Sequence, residues 1–147
     1  MTSAVASQLL MGWDGTLPVD PTKFAVASGI SVKYDKGLSD AGRSGYSNPE
    51  IRTIFINPTE PARRQRFTVA HELGHCLLGH GCRDRKKGTL MSYEPDEAAA
   101  NQFAAELLMP ENAIRYFAAQ KNLQDLMEIF DVSQSAIYFR LKNLRLI

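Results

Sequence analysis

The chain has 147 residues, 44% hydrophobic and 22% charged, with a formal net charge of +1, so disorder, collagen-like repetition and a strongly basic nucleic-acid binder are excluded and one globular domain, 1–147, is expected. No run approaches 18 apolar residues, and residues 1–10 lack the basic flank and apolar core of a secretory signal. Neither a membrane span nor export is expected, and the cytoplasm is the expected location. Cys76 and Cys82 make neither a disulfide framework nor a CxxC pair, in keeping with a reducing compartment.

Residues 1–20 read as an irregular arm around Trp13. Pro21 at a first helical position, with Gly29 as a stop, marks a short helix. Residues 30–34 alternate apolar and polar, and residues 52–57 (RTIFIN) form a β-branched and aromatic run; with one further strand near Tyr46, they predict a small three-stranded antiparallel sheet. From Pro61 onward the periodicity is helical, over 61–78, 95–109, 111–121, 123–130 and 134–144, with stops at Gly79 and Gly81, Pro110, Asn122 and the turn 131–133. The fold class is therefore α+β: the small sheet packed on a mainly helical domain, zincin-like in that residues 71–75 of its first long helix read HELGH.

The near-neutral charge is an average over blocks: residues 60–87 carry +4, residues 91–131 carry −6 and residues 132–147 carry +3. All three histidines, His71, His75 and His80, fall within ten residues. His71-Glu72-Leu73-Gly74-His75 is an HExxH, expected by chance only roughly 0.003 times in a chain of this composition. Residues four apart share a helix face, so His71 and His75 can aim at one zinc ion while Glu72 projects toward a bound water as the catalytic base. Apart from these three and the thiol of Cys76, residues 68–77 carry no ionisable group, so this helix is expected to be buried and a cation to satisfy its polar residues. Gly74 inside it implies close approach by a neighbour, with Ala98, Ala99 and Ala100 as the expected contact. His80 lies nine residues after His71, about 180° round a helix, and is read as a helix-end residue rather than a ligand.

The third ligand must come from elsewhere. Glu94, Asp96 and Glu97 are the carboxylates at the start of the next helix, and Glu97 leads because Asn101 lies one turn on, placed to bond the free nitrogen of a ligating histidine. Tyr46, Arg66 and Tyr93 are the possible oxyanion donors or substrate contacts; Arg63 and Arg64 precede the catalytic helix and can line a cleft. Residues 123–147 have the cadence of a helix-turn-helix, with Ser133 as an N-cap. Met127 and Asp131 stand where such motifs prefer a small residue and a glycine, and Tyr138 and Phe139 do not readily both face outward. A packed helical pair completing the core is expected instead, without direct nucleic-acid binding.

Three segments, RFTVAHELGH (66–75), EAAANQFAAELLMP (97–110) and FDVSQSAIYFRLKNL (130–144), together resemble the ImmA/IrrE family of bacterial and phage zinc metallopeptidases, over about residue 21 to the C-terminus. The resemblance implies that Glu97 is the third ligand and that the protein substrate is a helix-turn-helix repressor or similar regulator. It departs from the family at Ala99, where Glu is common. The competing reading is a non-catalytic regulatory or toxin–antitoxin-type protein that grips its partner and keeps only a structural metal site.

Overall fold

The computed structural model describes residues 4–79 and 90–147, the side chains of 90–94 excepted. Eleven elements are described, in the order α1 (Ala4–Leu10), α2 (Pro21–Ala27), β1 (Ser31–Tyr34), α3 (Gly37–Asp40), β2 (Gly45–Asn48), β3 (Thr53–Ile56), α4 (Ala62–Leu77), α5 (Leu90–Leu108), α6 (Glu111–Ala118), α7 (Leu123–Phe130) and α8 (Gln134–Asn143).

Local sequence explains most of these boundaries. Asp20 caps α2 by accepting from the Thr22 N–H at 3.0 Å, with Pro21 in the first turn. Asn122 caps α7 through the Asp125 N–H at 2.8 Å, and Ser133 caps α8 through the Ala136 N–H at 3.2 Å; each side-chain acceptor satisfies a donor that the first helical turn leaves unpaired. Gly79 ends the α4 region at φ +77°.

The sheet corrects one expectation. Its order is β1-β3-β2, with β2 antiparallel to β3 but β1 parallel to it, Ser31 pairing with Thr53 and Tyr34 with Ile56. The sheet is mixed rather than antiparallel. β2 and β3 form a hairpin over the turn 49–52, closed by the Arg52 N–H on the Pro49 carbonyl. The segment from β1 to β2 instead includes the short helix α3, so the chain leaves β1, crosses and comes back to place β3 alongside it in the same direction. A crossover can join parallel strands where a tight turn cannot. Arg52 stands at φ +49°, uncommon for a side chain with a Cβ, and its guanidinium bonds the carbonyls of Ser28 and Gly29. That stitches the hairpin to the end of α2.

Two further differences lie at helix starts. The arm expected to be irregular opens as helix α1, which buries Ala6 completely and packs on α5; tertiary contact stabilises a seven-residue helix too short to be stable alone. Helix α5 begins at Leu90 and runs through Pro95, where the expected start lay.

The main core lies between α4, α5 and the sheet, with Val69, Leu73, Phe103, Leu107 and Ile54 all buried. Gly74 has the close neighbour its position implied, and the nearest atoms are those of Phe103: a Cβ there would sit 2.9 Å from its ring. Ile114, Phe130, Ile137 and Leu141 extend the core into the C-terminal helices. Helices α7 and α8 pack on each other, and, contrary to expectation, Tyr138 and Phe139 both face outward, because Ile137, Arg140 and Leu141 occupy the inner face of α8. Arg140 is fully buried and donates to the Met109 carbonyl at 3.0 Å. Burial lowers its pKa, opposed by nearby Glu106 and Glu111. One of the three charges of the basic tail therefore serves the interior.

Candidate metal centre

Helix α4 is held with its polar face toward a cleft by contacts on two sides. The Gly45 end of β2 lies so close that a Cβ there would meet Thr68 Cγ2 at 2.5 Å and Glu72 Cγ at 3.8 Å. On the other side α5 brings Glu97 and Asn101 over the motif. Glu97 Oε2 lies 2.9 Å from His71 Nε2, and Oε1 lies 3.1 Å from His75 Nε2. The two histidine Nε2 atoms are 3.1 Å apart. Asn101 Oδ1 accepts from His71 Nδ1 at 2.8 Å.

These atoms fit a small divalent cation. With Nδ1–H donated to Asn101, an Nε2 of His71 that carries no proton turns its lone pair toward a carboxylate oxygen and a second imidazole nitrogen. Such acceptors repel at these distances unless positive charge lies among them. Tetrahedral coordination with bonds of 2.0–2.1 Å has edges of about 3.3 Å, close to the observed separations. One ligand atom from each of His71, His75 and Glu97 lies within 4.8 Å of the others. His75 is 1% exposed and Glu97 42%, so the group has a buried side and a side open to solvent. Glu72 is buried and lines the same cleft.

The cleft measures about 920 Å³. Its walls are α4, the start of β2, the Glu97–Ala105 stretch of α5, and the α7–α8 corner, which contributes Met127, Val132, Ala136 and Phe139. Sequence reasoning missed this last wall, since it assigned residues 123–147 to packing alone. The sequence carried no direct signal for it: the adjacent Tyr138 and Phe139 read as packing residues, and only the structure shows Phe139 exposed.

The expected oxyanion donors fare differently. Tyr46 alternates with Gly45 along β2 and so points to the other face of the sheet, where its hydroxyl donates to Asp35 at 3.1 Å and its ring stacks on Phe55. Burial, then the Asp35 bond, raises its pKa. Arg66 turns to the end of α7 and bonds Asp131 and the Phe130 carbonyl; burial lowers its pKa, opposed by Asp131 and Asp20. Neither lines the cleft. Tyr93 and Glu94 fall in the first turns of α5 with side chains outside the described residues, as does the whole of His80. Asp96 is not part of the metal-ligand group.

A buried HExxH helix joined to a carboxylate from the next helix makes a candidate metal centre. Residues 26–142 match the family model of the IrrE N-terminal-like domain, and the chain belongs to this ImmA/IrrE family of metallopeptidases. It is 34% identical over 124 residues to the radiation response metalloprotease IrrE of Deinococcus radiodurans, covering 77% of this chain and 37% of that protein. To the protein of the same name from Deinococcus deserti it is 38% identical over 108 residues, 65% of this chain and 38% of the relative. The chain thus spans less than two fifths of the length of these relatives. A Mycobacterium tuberculosis transcriptional regulator shares the fold, with a TM-score of 0.68 at 18% identity over 93% of this chain and 44% of that one. Among the described residues no helix is long and apolar enough to cross a membrane.

Proposed function

We propose that the chain is a zinc-dependent endopeptidase acting in the cytoplasm on a regulatory protein, with a helix-turn-helix repressor as the substrate class. The observation that carries this reading is the convergence of His71, His75 and Glu97 beside Glu72 in an open cleft of about 920 Å³. Relatives named for a radiation response and a fold neighbour named as a transcriptional regulator support a regulatory setting.

In this reading His71, His75 and Glu97 hold the metal, and Asn101 fixes the ring of His71 so that its Nε2 keeps a free lone pair. When bound, zinc supplies Lewis acidity that polarises the scissile carbonyl and makes water acidic enough to ionise near neutral pH. The Glu72 carboxylate accepts the proton of the attacking water and returns it to the leaving amine as the C–N bond breaks, giving a carboxylate and an amine. With Tyr46 and Arg66 engaged elsewhere, Tyr93 is the oxyanion donor this reading retains.

The test pairs metal content with cleavage. The purified chain is expected to hold about one zinc, lost in His71→Ala. Glu72→Gln is expected to keep zinc but no longer cut a helix-turn-helix repressor encoded beside it. If Glu72→Gln still relieved repression in cells, a non-catalytic protein that grips its partner would replace the endopeptidase.

A further inference from the structure

The cleft has a charge pattern that the chemistry of peptide hydrolysis does not require. Among the described residues, the charged groups lining it are Glu72 and Glu97 of the metal centre and Arg43, Arg63 and Arg64. Arg63 is engaged by Asp131 at 3.0 Å. Arg43 and Arg64 are exposed, and among the described residues neither guanidinium is in an ion pair. They stand at the same end of the cleft. Arg64 precedes Thr68 by one turn of α4, Thr68 touches Gly45, and Arg43 is two residues before Gly45.

Their distance from the metal centre follows from helix geometry. Arg64 precedes His71 by seven residues, which is about 10.5 Å along the axis at 1.5 Å per residue. An extended peptide rises about 3.3 Å per residue, so this span corresponds to about three substrate residues. The lining is of mixed character: Phe67 on α4 and Met127, Val132, Ala136 and the 45% exposed Phe139 of the α7–α8 wall are apolar, and Thr68 and Ser133–Ser135 are polar.

Resting on the endopeptidase reading, we propose that Arg43 and Arg64 form a subsite for an acidic side chain of the substrate, about three residues from the bond that is cut. The arginines act by charge complementarity, which orients the segment and speeds its capture more than it adds tight binding. The α7–α8 corner thereby becomes the second wall of a specificity groove, which explains why Phe139 faces outward on a helix whose inner face is fully used.

The experiment is a cleavage-site profile. Zinc-loaded full chain is incubated with a complex pool of peptides of known sequence, and cut sites are read by mass spectrometry. Asp and Glu are expected to be enriched about three positions from the cut on one side. In the Arg43→Glu/Arg64→Glu double variant that enrichment is expected to give way to Lys and Arg, with kcat/KM on an acidic peptide down about five- to tenfold and zinc content unchanged. A flat profile at positions two to four, or one unaltered in the double variant, overturns the subsite. If the native chain cuts nothing, the endopeptidase reading has failed separately, and the subsite is read by binding. Fluorescence anisotropy of labelled octapeptides carrying Asp or Lys, measured on Glu72→Gln, is then expected to show salt-sensitive preference for Asp that the charge reversals abolish. Equal binding of the two peptides overturns it.

Discussion

Arg66 on α4 grips Asp131 at the end of α7 twice, through the side chain at 3.2 Å and the backbone carbonyl at 3.3 Å. Asp131 holds a left-handed φ of +51°, where glycine is the usual occupant of a helix end. Its carboxylate is also bonded by Arg63 at 3.0 Å. The two arginines offset the backbone cost of the aspartate and fix the corner that walls the cleft.

Asp131→Ala is therefore expected to destabilise by about 1–3 kcal/mol, since it keeps the left-handed φ and loses the carboxylate's bonds to Arg63 and Arg66, while Arg66 keeps its bond to the backbone carbonyl. Asp131→Gly relieves the strain and loses the same carboxylate bonds, so it is expected to cost less. Chemical denaturation of the two variants gives the order; an Asp131→Gly chain less stable than Asp131→Ala would contradict this account of the turn.

Asn101→Ala removes the acceptor that orients His71. Metal affinity is expected to fall about 10–100-fold with little change in thermal stability of the metal-free chain, because Asn101 is exposed. Competition against a chelator of known affinity measures the first effect, and a melting curve the second.

At Gly74 two effects oppose each other. Alanine favours the helix by about 1 kcal/mol, but its Cβ would meet the Phe103 ring at 2.9 Å, and overpacking of this kind costs about 1–3 kcal/mol. Gly74→Ala is expected to be destabilising on balance. Adding Phe103→Leu, which makes room, is expected to recover part of the loss in a double-mutant cycle.

Tyr46→Phe is expected to leave peptidase activity unchanged, since the hydroxyl is on the far face of β2, and to cost about 1 kcal/mol through the lost bond to Asp35. The raised pKa of Tyr46 sets the pH window. A folded-state pKa above the unfolded value stabilises fully below about pH 10, and this contribution disappears as pH climbs through the folded-state pKa. The stability difference between native chain and variant should therefore shrink in strong alkali, which denaturation at stepped pH measures.

Local pattern alone determined the motif helix, its stop at Gly79, the caps at Asn122 and Ser133, and the pairing of His71 with His75, because each depends on residues within one or two turns. Glu97 was legible as a carboxylate with an asparagine one turn on. Only the tertiary structure decided that it meets both histidines, because that depends on the packing of Phe103 against Gly74. The direction of β1 was likewise hidden: strand propensity sets which residues pair but not which way the connection returns. The same physics removed two of the three oxyanion candidates, since strand alternation turned Tyr46 away and Asp131, 65 residues on, claimed Arg66. The charge blocks were readable as sums, but only packing assigned Arg140 to the core, Arg63 and Arg66 to the α7–α8 corner, and Arg43 and Arg64 to the cleft.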